Sequence, residues 1–185
     1  WLNSFLNNNS INLVLDVGAN SGQYALSLRR FGYKKKIISF EPGSEAHLKL
    51  IKNSKNDTMW SIYERVGLGN QRKNVKLNIS NNSVSSSYKN IKKLHLTNEP
   101  NSKYIKTEKT KIIKLDQAFK KFHKKKENIM LKIDTQGYEW EVLQGSKKSL
   151  RNIKVIQVEL GFVDLYQNQK NWLNTLKFLE NNNFK

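Results

Sequence analysis

LVLDVGANSGQYALSL, residues 13 to 28, followed by ISFEP at 38 to 42, decides the fold. Leu13, Val14, Leu15 and Val17 form a short apolar run that suits a strand buried on both faces, as in a parallel sheet. Gly18 and Gly22 then open a turn in which backbone N–H groups come close to a ligand. A helix expected to start near Ser21 presents its positive end at the same place. Residues 37 to 40 read as a second apolar strand, with Glu41 at its carboxyl end. A carboxylate there accepts both hydroxyls of a ribose, so the segment reads as a cradle for a nucleotide-type cofactor.

The glycine spacing narrows the cofactor. A dinucleotide fingerprint needs G-x-G-x-x-G, whose middle glycine lets the backbone approach a pyrophosphate. This chain has G-x-x-x-G, with Asn20 in the middle place and Asp16 at the end of the strand, where it would repel phosphate. An acid suits a cationic ligand. S-adenosylmethionine carries an ammonium and a sulfonium and no phosphate, and fits this loop better than NAD.

Strand and helix keep alternating downstream. Residues 45 to 53 read as a helix and 60 to 66 as a third strand that ends in a Gly67-Leu68-Gly69 turn, with Gly67 and Leu68 expected beside an adenine. Residues 70 to 110 read as an irregular loop and hairpin region, with an alternating strand at 75 to 79 and a polar serine and asparagine run at 80 to 87. It is positioned to cover a cofactor mouth, with Tyr88, His95 and Tyr104 as candidate acceptor contacts. A strand at 110 to 115 and a helix at 117 to 122 capped by Asp116 follow.

The second strong motif is IMLKIDTQGYEWEVLQGS, residues 129 to 146. Residues 129 to 133 make a fourth buried strand, Asp134 ends it, Gly137 permits a sharp turn, and Gly145 closes the next helix as a C-cap. A fifth strand at 155 to 160 places Glu159 at the same sheet edge. Asp16, Asp134 and Glu159 thus converge near one cationic ligand. The chain closes on a helix with Trp172, Leu173, Leu176 and Leu179 on its apolar side.

Composition sets the outer limits. The 185 residues suit a single domain over 1–185, with residues 1 to 10 as an N-terminal flank. There is no cysteine, which excludes disulfides and thiolate chemistry, and His47, His95 and His123 show no metal spacing, so no metal site is expected. No apolar run reaches the length of a membrane span and no signal peptide opens the chain, so a cytoplasmic location is expected. The net charge is +18, from 33 Lys and Arg against 15 Asp and Glu, and only five of the cations are arginine. The basic runs, at 34 to 36, 89 to 93, 103 to 114, 120 to 126 and 147 to 151, are dispersed and lack interleaved arginine and aromatic residues. We read them as generic surface lysine and expect no nucleic-acid partner.

Together, LDVGANSGQYALSL, ISFEP, the serine run near VSSSY before KLDQAF, LKIDTQGYEWEVLQG and VELGFVDLYQNQ resemble the FkbM family of S-adenosylmethionine-dependent methyltransferases, over about residues 11 to 184. The resemblance implies a doubly wound, mostly parallel, Rossmann-like class I methyltransferase sheet. It also implies O-methylation of a hydroxyl on a sugar, glycan or natural product. Carried over by position, Asp16, Gly18, Asn20 and Gly22 form the first cofactor loop, Glu41 meets the ribose, Gly67 and Leu68 border the adenine, and Asp134 lies near the methionine end. Many members carry Glu where this chain has Gln136, so that position is given no acid–base role.

Candidate catalytic bases are Asp134 first, Glu159 second and Glu139 third. The sheet of this class continues past the fifth strand, and we expect the final strands to be missing, in a chain that starts at Trp1. Two alternatives stay open. One is a nucleic-acid methyltransferase or binder, motivated by charge but lacking the D/N-P-P-Y/F/W tetrapeptide; the other is a non-catalytic cofactor-binding remnant.

Overall fold

The computed structural model describes residues 2 to 124 and 126 to 185. Trp1 and Lys125, the latter inside the basic run at 120 to 126, lie outside the described residues. The elements run α1 (Leu2–Asn8), β1 (Leu13–Val17), α2 (Gln23–Arg30), β2 (Lys36–Phe40), α3 (Ser44–Ser54), β3 (Trp60–Ile62), β4 (Gly67–Leu68), β5 (Lys73–Ser80), α4 (Lys93–Asn98), β6 (Tyr104–Ile113), α5 (Leu115–Phe122), β7 (Ile129–Ile133), α6 (Glu139–Gln144), β8 (Ile153–Val158) and α7 (Trp172–Glu180).

Five strands form an all-parallel sheet in the order β3-β2-β1-β7-β8. Its centre is β1, whose five residues are all buried because both faces are covered. On one face Leu13, Leu15 and Val17 join Phe40, Leu131 and Ile133 under Leu115 and Phe119 of α5 and Val142 and Leu143 of α6. On the other, Val14, Ile37 and Met130 meet Leu6 of α1, Ala25 and Leu28 of α2, and Leu50 of α3. This is a Rossmann-like α/β fold, as the alternating pattern predicts.

A second sheet of order β4-β6-β5 corrects three expectations. The third strand stops at Ile62 rather than 66. Gly67 and Leu68 are then not a turn but β4, paired in parallel with Ile112 and Ile113. The region from 70 to 110 is largely ordered, because β5 and β6 pair antiparallel along almost their whole length. Asp116 does not cap α5 either; Lys114 holds that place. The Asp116 carboxylate accepts instead from the N–H groups of Lys148 and Ser149 at 3.2 and 2.8 Å, tying α5 to the turn before β8.

Among the described residues no helix is long and apolar enough to cross a membrane, and no group of three or more His, Cys, Asp or Glu is placed to hold a metal.

Candidate active site

Parallel register aligns the strand ends. Val17 sits opposite both Phe40 and Ile133, so the loops that leave β1, β2 and β7 meet at one sheet edge. The contact between the first and third loops depends on glycine. Gly18 has a φ of +76°, and a Cβ there would overlap the Asp134 carbonyl. A cleft of about 540 Å³, its open mouth included, lies at this edge, with Gly18, Asn20, Glu41, Gly67, Leu68 and Asp134 in its walls. A recess beside it shares Gly18, Asn20, Asp134 and Gln136 and adds Gln23, Tyr24 and Lys132.

Glu41 is held as a receptor for donors. It is 8 % exposed, and its two oxygens accept from the backbone N–H groups of Asn20 at 2.8 Å and Gly43 at 2.7 Å. Burial pushes its carboxyl up to about 7 against the pull of those N–H groups. Phe40, Val66, Leu68 and Leu77 supply apolar wall beside it. Tyr88 also lines the cleft; its hydroxyl bonds Thr110 at 2.9 Å, and its ring fills the space that a side chain at Gly67 would need.

Asp134 stands where cleft and recess join. The side-chain amide of Gln136 donates to Asp134 Oδ1 at 2.8 Å and to Glu159 Oε2 at 3.0 Å, and Gln136 Oε1 accepts from the Tyr166 hydroxyl at 2.8 Å. Glu159, one residue beyond β8, is therefore linked to Asp134 but lines neither space. Burial, and after it the hydrogen bonding and negative charge of Asp134, raise the Glu159 carboxyl to about 7.

Several expected residues work from behind the walls. Asp16 is fully buried and does not line the cleft. Its carboxylate faces Lys132 Nζ at 3.1 Å and accepts from Ser39 Oγ at 3.3 Å, so the chain supplies its own cation. Lys132 Nζ also lies 3.6 Å from Asp134 Oδ2 and donates to the Gly18 carbonyl at 3.3 Å. Burial opposes its charge, but Asp16 and Asp134 hold its ammonium above the usual lysine range. Gly22 starts α2 against the Trp60 ring, away from the cleft. Glu139 is buried, and one oxygen accepts from Thr135 N at 2.8 Å and Gly137 N at 3.1 Å, which fixes the turn after β7.

His95 and Tyr104 are not brought to the cleft. His95 packs edge-on to Tyr166 and bonds Ser102 Oγ, while the Tyr104 hydroxyl donates to the Lys89 carbonyl. The residue that sequence reasoning passed over is Lys132. Its signal was present, a lone lysine inside the apolar strand IMLKI.

A five-stranded parallel sheet of order 3-2-1-4-5, counting only its own strands, with an acid after the second strand and another after the fourth, is a Rossmann-like arrangement of the kind methyltransferases use. The profile of the methyltransferase FkbM domain matches residues 16–185. The chain belongs to that family and is a methyltransferase. No curated protein and no solved structure matches it.

Proposed function

We propose that the chain forms one S-adenosylmethionine-dependent methyltransferase domain acting on a hydroxyl of a sugar, glycan or natural product. The observation that carries this is Glu41, a buried carboxylate at the end of β2, aimed by two backbone N–H groups into a cleft with apolar walls. Such a group accepts a ribose diol, and the walls from Phe40 to Leu68 take a flat base. Gly18 and Asn20 leave the first loop close to the ligand, with Asp16 and Gly22 supporting that loop from behind. Asp134 then lies toward the cationic end of the cofactor.

S-adenosylmethionine supplies an electrophilic methyl group on sulfur when bound. The chain contributes position and proton control. Holding the acceptor oxygen in line with the methyl carbon removes much of the entropic barrier. Asp134, at the junction of cleft and recess, receives the acceptor's proton. Glu159 tunes Asp134 through Gln136, and Glu139 shapes the turn without touching the acceptor. Gln23, Gln136 and the Tyr24 ring line the recess with amides and one aromatic face, groups that suit a hydroxylated acceptor.

Titration calorimetry with S-adenosylmethionine and S-adenosylhomocysteine tests the cofactor. The wild-type chain binds both and Glu41→Ala weakens binding at least about tenfold, the loss of a charged hydrogen-bond acceptor. No binding by the wild type overturns the proposal. Mass spectrometry of a glycan and polyol panel then shows whether the methyl group resides on oxygen.

A further inference from the structure

The β5–β6 ribbon has two unlike faces. Leu77, Thr110 and Ile112 look inward and are buried. Outward, the register sets Asn74 opposite Lys111, Lys76 opposite Lys109 and Asn78 opposite Thr107. Like charges directly opposite each other destabilise a ladder. No acid occupies any of these six positions. Among the described residues Lys76, Lys109 and Lys111 form no ion pair; Glu64, within Coulombic range of Lys111, is paired to Lys121 at 3.1 Å. Arg72 and Lys73, just ahead on the chain, line a shallow groove with Asn74 and Lys111. Four cations, Arg72, Lys76, Lys109 and Lys111, thus adjoin, and the one acid beside them, Glu64, is already paired to Lys121. At the far end Ile105, skipped where the register shifts, is 61 % exposed.

We propose that the outer face of β5–β6 is a docking surface for an anionic lipid bilayer. Arg72, at the end of the patch, is its one guanidinium, and the six facing positions are Asn, Thr and Lys with no aromatic ring, so the face itself offers nothing on which a base could stack. Lysine ammoniums act as point charges, which suit a lattice of headgroup phosphates with no fixed geometry. The apolar Ile105 side chain completes the pattern, since it can enter the interface beside the cations. This inference is independent of the cofactor assignment. It concerns a different surface of the chain.

Co-sedimentation of the full chain with vesicles decides it. The wild type sediments with vesicles of phosphatidylcholine and phosphatidylglycerol in equal parts, stays in solution with phosphatidylcholine alone, and is released by about 1 M salt, where the screening length falls to about 3 Å. Lys76→Glu with Lys111→Glu lowers the partition at least about tenfold, whereas the charge-matched pair Lys49→Glu with Lys52→Glu, on α3, changes it less than about twofold. A thermal melt of each pair unchanged from wild type shows that folding is kept; Lys76→Gln serves in place of a pair that melts lower and must reduce partition as well. Failure of the wild type to bind anionic vesicles overturns the proposal. So does equal loss in both pairs, which would reduce the effect to net charge, and so does retention of RNA or heparin at a salt where vesicles are ignored.

Discussion

Lys132 Nζ lies 3.1 Å from Asp16 Oδ1, on the neighbouring strand and in register with it, and this pair sets the charge behind the cleft. An acid that would otherwise face the ligand is neutralised from within. Asp134, reached by the same ammonium at 3.6 Å and more open to solvent, is the member of the group that lines the cleft.

Lys132→Met should therefore be severe, because Asp16 remains buried without a counter-ion. A loss of about 3–5 kcal/mol is expected, with a melting temperature lower by about 2–4 °C for each kcal/mol in a chain of this size. Lys132→Met with Asp16→Asn should recover much of it, since both charges are gone. Chemical denaturation of the three proteins checks this, and a double variant no more stable than the single one would show that the pair is not coupled.

Glu41 gives a pH dependence of defined sign. Its carboxyl titrates at about 7 in the folded chain and lower when unfolded. The folded state therefore holds the extra proton between those values, and the contribution to stability falls as pH rises through about 7. Glu41→Gln should gain stability relative to wild type between about pH 5 and about pH 8. A ribose diol donates to the ionised form, so binding of S-adenosylhomocysteine should release a proton near neutrality and tighten toward alkaline pH. Calorimetry in buffers of different ionisation enthalpy measures that proton directly.

Gln136→Leu removes the amide that donates to both Asp134 and Glu159. Glu159, already raised to about 7, loses a bond that favours its charged form, so its titration should move upward. The ascending limb of methyl transfer against pH should shift to higher pH, with folding stability lowered by about 1–4 kcal/mol for three lost hydrogen bonds. A drop in rate with an unmoved pH profile would assign Gln136 a purely steric role.

Glu139→Leu tests the division between chemistry and support. One Glu139 oxygen accepts two backbone N–H groups and the Thr135 hydroxyl, so substitution should lower the melting temperature and loosen the turn. The pH profile of the remaining activity should keep its shape. A base would abolish the ascending limb instead.

Strands β1, β2 and β7 were legible because each is a dense apolar run, and the acids after β2 and β7 could be placed once the sheet was taken as parallel. The β5–β6 ribbon was harder to read. Residues 104 to 113, YIKTEKTKII, alternate only weakly, since lysine occupies both faces, outward at Lys109 and Lys111 and on the Leu77 face at Lys106. The third strand was read too far because no glycine or proline interrupts the chain between Tyr63 and Val66, yet Val66 lines the cleft ahead of β4. The Asp16 partner was hidden for another reason. Pairing across strands joins residues 116 positions apart, and nothing local in either segment records it.

Trp60, Ser39, Asp16 and Lys132 form a polar row across four adjacent strands, linked from the indole N–H to Ser39 Oγ at 2.9 Å and on to Asp16. Apolar strands such as LVLDV and IMLKI could slide past one another with little change in burial. A shift by one residue would turn Asp16 and Lys132 to opposite faces and strand both charges in hydrocarbon. The row therefore acts as an alignment key, penalising every misthreaded sheet and leaving one in which the three loops that wall the cleft end level.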